Sequence, residues 1–169
     1  EMSDGCIGVK TGFTDNAKRC LVSAAERDGV RLICVTLNAP DDWNIHMDMY
    51  NHAFASLSRR SLEEYIPKEI TVPVSGGTDT AAVRVVPEEI PYSIVSEQEF
   101  SQVQCVTTLS KLEFAPLNKG DTVGKAVFTL NGEEIASVNM VCDSSVEARK
   151  VKKNIFIKLF DVIKGCFGA

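Results

Sequence analysis

The pair Asp28-Gly29, which stands between two apolar runs, constrains the fold of the first third of this chain most strongly. Asp and Gly both tolerate the positive φ angles that the two central residues of a type I′ turn require, so the pair predicts a tight β-hairpin. The strands of this hairpin are residues 20–25 and 30–37. The second run is apolar almost throughout, which is typical of a strand covered on both faces. A further strand is expected at residues 6–9, leading into Lys10.

A helix is predicted directly after these strands. Pro40 is followed by Asp41 and Asp42, and either carboxylate can act as the N-cap because it accepts hydrogen bonds from the free N–H groups of a first helical turn. Apolar side chains then recur every three or four residues and give the helix one apolar stripe. The stripe consists of Met47, Tyr50, Phe54 and Leu57.

The pattern changes near residues 56–62, which predicts a domain boundary. Short apolar runs separated by Pro and Gly follow, and Asn131-Gly132 between two such runs repeats the hairpin signal. Residues 59–145 are therefore predicted to form a small all-β sandwich. With the antiparallel strands and helix of residues 1–58, the predicted fold class is α+β. The expected strands of the sandwich are residues 70–74, 81–86, 104–109, 126–130 and 135–140.

The last segment, residues 146–169, is predicted to be an amphipathic helix. Its apolar side chains share about half of a helical wheel, and basic residues dominate the other half. Such a helix suits the surface of an anionic membrane, and packing of the helix on the β-rich domain is the alternative. The apolar half holds Val151, Ile155, Phe156, Leu159, Phe160, Val162, Ile163, Cys166 and Phe167; the polar half includes Lys150, Lys153, Lys158 and Lys164.

Charge and metal-binding residues exclude some classes of function. The net charge of -5 argues against a nucleic-acid partner, because the bulk of the chain offers no basic stripe for phosphates. The six cysteines are scattered without a Cys-x-x-Cys pair, so free thiols are expected rather than a zinc site or a disulfide framework. His46 and His52 lie six residues apart and do not share a helix face, which favours structural or solvent-facing roles.

The triplet Lys10-Thr11-Gly12 carries the chemistry. Alone it is a weak signal, but residues 4–33 around it resemble the third motif, with its flanking strands, of the serine-type D-alanyl-D-alanine carboxypeptidases, the low-molecular-mass penicillin-binding proteins. Residues 41–54 are similar to the helix that follows in many members, and residues 117–124 resemble the β-rich C-terminal domain of the family. The resemblance implies the C-terminal part of such an enzyme: a remnant of the penicillin-binding/β-lactamase-like transpeptidase domain, then the β-rich domain.

The resemblance also implies a role for each residue of the motif. Lys10 is the implied catalytic residue, supplying positive potential beside the nucleophile, and the Thr11 hydroxyl is expected to bind the C-terminal carboxylate of the substrate. Gly12 lets the substrate backbone lie along the strand. The backbone N–H of Phe13 is an expected oxyanion donor. The substrate-binding set is thus Lys10, Thr11, Gly12 and Phe13, and neither a metal nor another cofactor is implied.

Two departures from the family pattern matter. Many members have Gly where this chain has Lys18, so the turn there is expected to differ. Some members carry an arginine near the start of the following helix that helps to hold the substrate carboxylate, and residues 43–46 offer none.

The remaining motifs of the family are a Ser-x-x-Lys, whose serine is the nucleophile, and a Ser-x-Asn. Both precede the Lys-Thr-Gly triplet, and the few residues before Lys10 contain neither. The chain by itself is therefore expected to be inactive.

The implied whole protein removes the terminal D-Ala of peptidoglycan pentapeptides through a serine acyl-enzyme and is acylated by β-lactams. It is expected outside the cytoplasm, on the outer face of the bacterial cytoplasmic membrane, held there through residues 146–169. The alternatives are a non-catalytic β-rich module, which acts as a pedestal or binds a partner, and a related transpeptidase or β-lactamase that shares the triplet.

Overall fold

A computed structural model describes residues 4–78 and 81–150 of the chain. Its first elements are the strands β1 (Cys6–Thr14), β2 (Lys18–Arg27) and β3 (Val30–Leu37) and the helix α1 (Asp42–Ser56). The strands form an antiparallel sheet in the order β1-β2-β3. Asp28 and Gly29 have φ angles of 48° and 76°, as the predicted tight turn requires. These strands and the helix are confirmed, and β1 extends through the whole Lys-Thr-Gly triplet. Asp41 is the N-cap residue of the helix, but its side chain makes no capping hydrogen bond, so that part of the prediction is wrong.

The helix α1 packs on one face of this sheet only. Val30 and Cys34 of β3 are buried, whereas Ile33, Val35 and Leu37 on the other face are 70%, 55% and 74% exposed. The prediction that this strand is covered on both faces is therefore wrong for the described residues. Its apolar composition reflects two apolar faces, of which only one is packed.

The predicted stripe of α1 is confirmed in part: Tyr50 is buried and Phe54 packs against the core, but the buried face also includes polar residues. Asp42, His46 and Tyr50 are its buried residues, whereas Met47 is 38% exposed. Residues four apart lie on one face of a helix, so these three side chains point together toward the sheet. Polar groups occupy this face because each finds a hydrogen-bond partner on β2 or β3, as described below.

The rest of the described chain is rich in β-strands, as predicted. Its elements are β4 (Leu57–Ser61), a 3-10 helix (Glu63–Tyr65), β5 (Ile70–Ser75), β6 (Ala82–Pro87), β7 (Tyr92–Ser96), α2 (Glu97–Phe100), β8 (Gln104–Leu109), β9 (Glu113–Phe114), β10 (Thr122–Leu130) and β11 (Glu133–Cys142). A six-stranded sheet has the order β8-β10-β11-β6-β5-β9, and β4 pairs with β7 in a two-stranded sheet. The predicted runs correspond to β5, β6, β8, β10 and β11, while β4, β7, β9, the 3-10 helix and the short capped helix α2 were not predicted. The sandwich arrangement remains a prediction.

The chain divides into two compact units, whose described residues are 4–68, 87–108 and 125–139 for the first and 69–78, 81–86, 109–124 and 140–150 for the second. A core of the first unit joins Ala25, Cys34 and Tyr50. In the second unit, β5 alternates strictly between buried and exposed residues. The core side chains of the second unit include Val72, Val74, Val83, Val85, Val123 and Met140. The boundaries predicted from sequence, 1–58, 59–145 and 146–169, remain predictions.

The prediction that a helix begins at residue 146 is wrong. Val146 and Ala148 form antiparallel bridges with Leu117 and Gly77, so residues 146–150 are extended rather than helical. Residues 151–169, where most of the predicted helix falls, lie outside the described residues. Within residues 4–78 and 81–150, no helix is both long and apolar enough to cross a bilayer.

Candidate functional site

The four predicted site residues lie together on an edge strand. Lys10, Thr11, Gly12 and Phe13 belong to β1, which is at one end of the three-stranded sheet. Its inner edge pairs with β2 from Lys10↔Val22 to Phe13↔Arg19, and in the described part of the chain no strand pairs with its outer edge. All four residues are exposed. The strand therefore presents free N–H and C=O groups beside the triplet, which is the geometry that binds an extended peptide.

Alternation along β1 divides the triplet between the two sheet faces. Partners across antiparallel strands point to the same side, so Lys10 lies on the open face with Val22, which is 41% exposed. Thr11 lies on the opposite face with Leu21, which is fully buried under α1. The ammonium group and the hydroxyl thus flank the same stretch of exposed backbone from opposite sides.

Lys10 is flanked on its own face by two glycines. A Cβ atom on Gly12 would have only the Cβ of Cys20 near it, at 3.9 Å, and one on Gly8 would meet nothing within 4 Å. Neither glycine is required by close packing or by a positive φ within the described chain. Their effect is to leave the backbone uncovered on both sides of Lys10, which allows another backbone to approach closely.

The Lys10 ammonium group donates a hydrogen bond to the backbone carbonyl of Thr11. No carboxylate of the described residues lies within ion-pair distance of it. Its positive charge is therefore available at the edge strand.

Arg19 and Asp42 form an ion pair at the same end of the sheet. The Arg19 Nε–H donates to Asp42 Oδ2 at 2.7 Å; the Asp42 side chain is 1% exposed and that of Arg19 is 48% exposed. The hydrogen bond from Arg19 lowers the pKa of the Asp42 carboxyl from its ordinary value, against the opposing effect of burial. Asp42 Oδ1 is buried without a hydrogen-bond partner in the described part of the chain. A charged carboxylate therefore holds Arg19 by a single contact.

A buried polar cluster joins α1 to the sheet. Ser23 Oγ lies 2.6 Å from His46 Nδ1 and 2.8 Å from the Tyr50 hydroxyl, and Thr36 Oγ1 lies 3.0 Å from His46 Nε2. Burial lowers the pKa of His46, and the Asp42 charge partly opposes this shift. Although Ser23 and His46 are in contact, they are only 5% and 3% exposed, so no substrate can reach them. The cluster fixes the position of the helix.

The strand that carries the triplet was predicted from the sequence. The Arg19–Asp42 ion pair and the buried cluster around His46 were not. The signal that was available is the spacing of Asp42, His46 and Tyr50, which are four residues apart and therefore lie on one helix face. His46 was compared only with His52, which is exposed. The described residues contain no group of three His, Cys, Asp or Glu side chains able to hold a metal ion. The five described cysteines are free thiols, of which Cys34 and Cys142 are buried.

Lys18, where many relatives were expected to have glycine, has a φ of 56°. This left-handed conformation is the one glycine adopts at little cost. The turn between β1 and β2 therefore keeps a conformation that favours glycine even though lysine occupies it.

Two family models match this chain. The model described as D-alanyl-D-alanine carboxypeptidase matches residues 2–41, which include the edge strand and its triplet. The model described as penicillin-binding protein 5, C-terminal domain, matches residues 65–148, which contain most of the β-rich region.

Curated relatives carry the same description. The chain is 28% identical over 157 residues to the D-alanyl-D-alanine carboxypeptidase DacF of Bacillus subtilis, covering 90% of this chain and 39% of the relative. It is 29% identical over 170 residues to the D-alanyl-D-alanine carboxypeptidase DacA of Haemophilus influenzae, covering 95% and 42%. The chain thus spans about two fifths of the length of the curated relatives it matches.

Solved structures agree with these matches. The D-alanyl-D-alanine carboxypeptidase DacD from Francisella tularensis matches at 28% identity and a TM-score of 0.55, over 86% of this chain and 37% of that protein. Penicillin binding protein 5 from Haemophilus influenzae matches at 28% identity and a TM-score of 0.54, over 83% and 43%. With its motif strand, both family models and these relatives in agreement, the chain belongs to the D-alanyl-D-alanine carboxypeptidase family.

Proposed function

We propose that this chain supplies the Lys-Thr-Gly strand of a serine-type D-alanyl-D-alanine carboxypeptidase. The whole enzyme removes the terminal D-Ala from peptidoglycan pentapeptides through a serine acyl-enzyme, and β-lactams acylate the same serine. The observation that carries this proposal is the position of the triplet on β1, an exposed strand whose outer edge pairs with no strand in the described part of the chain.

The substrate is an extended acyl-D-Ala-D-Ala peptide that lies along β1. Its backbone pairs with the free edge of the strand, next to the uncovered backbone at Gly12. Thr11 donates its hydroxyl hydrogen bond to the terminal carboxylate, and the backbone N–H of Phe13 stabilises the oxyanion of the tetrahedral intermediate.

Lys10 is the proposed catalytic residue of this chain. Its charge is not neutralised by any carboxylate of the described residues, so it raises the positive potential where negative charge develops during acylation. The nucleophilic serine and its activating lysine come from a Ser-x-x-Lys motif, which the 169 residues do not contain. The chain by itself is therefore inactive.

The remaining proposals concern location. The enzyme works outside the cytoplasm at the outer face of the cytoplasmic membrane. The basic and apolar residues at the end of the chain bind the anionic membrane surface, where each lysine contributes about 1 kcal/mol. Co-sedimentation with anionic vesicles tests this, because a chain that ends at Lys150, and so keeps the bridges of Val146 and Ala148, should remain in solution while the full chain partitions.

The direct test of function is acylation by a fluorescent penicillin. In a complete enzyme that carries this chain, Lys10→Ala should lower the acylation rate by at least about 100-fold, since one preorganised group is worth about 2.7–4 kcal/mol. Arg31→Gln is the matched control, because Arg31 is exposed and pairs with Glu26 on the same sheet, away from the triplet. An unchanged rate in the Lys10 variant would contradict the proposal, as would a stoichiometric penicilloyl adduct on the isolated chain.

A further inference from the structure

We infer that Arg19 is the second residue that binds the terminal carboxylate of the substrate, and that Asp42 positions it. The inference rests on the proposed function and adds a specificity-determining residue to it. It also answers the departure noted in the sequence, namely that residues 43–46 contain no arginine at the start of the helix.

Arg19 and Thr11 lie close together on the sheet. Arg19 is the cross-strand partner of Phe13, and Leu21 is the partner of Thr11, so Arg19 and Thr11 share one sheet face as diagonal neighbours. Diagonal neighbours in an antiparallel pair are about 7–8 Å apart, within reach of a long side chain. A carboxylate held by the Thr11 hydroxyl is therefore within reach of the Arg19 guanidinium group.

The Arg19 guanidinium group keeps hydrogen-bond donors for a ligand. Its Nε–H is bound to Asp42, and in the described part of the chain its terminal nitrogens make no hydrogen bond. A guanidinium group has five N–H donors in a planar fork that matches a carboxylate. The side chain is half exposed, so these donors reach solvent beside the edge strand.

Asp42, which holds Arg19, is itself held in place. Asp42 is fully buried, and it lies on the helix face that Ser23, His46 and Tyr50 lock against the sheet. An ordered carboxylate at 2.7 Å removes much of the rotamer freedom that an exposed arginine would lose when it binds a ligand. The ion pair thus presents Arg19 in one orientation beside Thr11.

The other cations of this sheet do not meet these conditions. Arg31 pairs with Glu26 on the opposite face, and Lys18 lies with Thr14 on that face as well. Arg27 lies at the other end of β2, where its guanidinium group stacks on Phe54. Arg19 is the cation of these described strands that shares the face of Thr11 at the end of the sheet occupied by the triplet.

The test compares two peptides, an acyl-D-alanyl-D-alanine with a free carboxylate and its C-terminal amide. Their binding to the full chain is followed by the backbone amide NMR signals of residues 10–13. Charge-assisted hydrogen bonds predict that the wild-type chain prefers the acid by at least about tenfold. Arg19→Gln should lower that preference severalfold, to what Thr11 and Lys10 supply without it. Asp42→Asn should lower it less, and Arg31→Gln should leave it unchanged.

Removal of Arg19 alone leaves the buried Asp42 charge without its partner and can unfold the chain. The double variant Arg19→Gln/Asp42→Asn removes both charges and leaves no unpaired buried carboxylate, so it is used for the test if the single variant does not fold. An acid preference as large in that variant as in the wild-type chain would overturn the role of Arg19 while leaving the proposed function intact. Failure of both peptides to shift the signals of residues 10–13 in the wild-type chain would overturn the proposed function as well.

Discussion

Strands β3 and β5 have the same alternation of burial and opposite chemistry on the exposed side. In β5, Ile70, Val72 and Val74 are buried while Thr71 and Ser75 face solvent, which is the usual pattern of a sheet with one packed face. In β3 the exposed positions are Arg31 and three aliphatic residues, Ile33, Val35 and Leu37. Strand β5 therefore keeps its isoleucine and valine side chains in the core, whereas β3, in the sheet that carries the Lys-Thr-Gly triplet, keeps three aliphatic side chains exposed.

The two regions therefore differ in which side chains contribute to the free energy of unfolding. Exposed apolar side chains contribute little to the free energy of unfolding of the chain, whatever their hydrophobicity, because no area is removed from water. The stability of the sheet β1-β2-β3 should therefore depend on the side chains that face α1. The stability of the second unit should depend on the buried valines of β5 and β6. Three predictions test this comparison.

The largest loss of stability is expected when a fully buried side chain is removed from the core of either region. Leu21→Ala in β2 and Met140→Ala in β11 each remove a fully buried side chain, so each should lower the free energy of unfolding by about 2–5 kcal/mol. Urea unfolding followed by circular dichroism measures both. The fluorescence of Trp43, which lies in α1, reports on the first region. A loss below about 1 kcal/mol in either variant would show that the corresponding core is not packed as described.

A matched pair of substitutions tests the open face directly. Val83→Thr in β6 buries a hydroxyl at a position that is 2% exposed and should cost about 1–3 kcal/mol. Val35→Thr makes the same change at a position that is 55% exposed and should stay within about 0.5 kcal/mol of wild type. Equal losses in the same urea experiment would mean that the face of β3 is covered in solution.

The smallest effect concerns the polar contact between α1 and the sheet. Burial holds the pKa of His46 below its unfolded value, so the folded state favours the neutral ring. The stability that this contributes is fully present above the unfolded pKa of about 6.5 and is lost as the pH falls toward the lower folded value. The free energy of unfolding should therefore decrease between pH 7 and pH 5. His46→Gln should flatten this part of the profile, and an unchanged slope in that variant would assign the pH dependence to other groups.

Local signals in the sequence were sufficient for most strands. Both hairpins were predicted from Asp28-Gly29 and Asn131-Gly132, because the required φ angles depend on two adjacent residues. The capping box of α2, where Ser96 and Glu99 bond reciprocally, is equally local and was overlooked. Elements of this kind are readable from a few neighbouring side chains.

Contacts between residues far apart in the sequence could not be predicted from such local signals. Arg19 and Asp42 are 23 residues apart, and their contact depends on how β1, β2 and α1 come together. The buried face of α1 includes the predicted Tyr50 but also Asp42 and His46. Hydrogen bonds with Ser23 and Thr36 compensate the burial of His46. The motif itself was recognised through resemblance, while its place on an edge strand required the sheet order.

The central claim is that β1, and not the β-rich unit, binds an extended D-Ala-D-Ala peptide along its free edge. Amide hydrogen exchange of the full chain, measured with and without an acyl-D-alanyl-D-alanine peptide, tests this most directly, because new strand pairing protects backbone N–H groups. With the peptide, we expect slower amide hydrogen exchange in residues 10–13 and unchanged exchange in β5 and β6. Unchanged exchange in residues 10–13, or protection confined to β5 and β6, would contradict it.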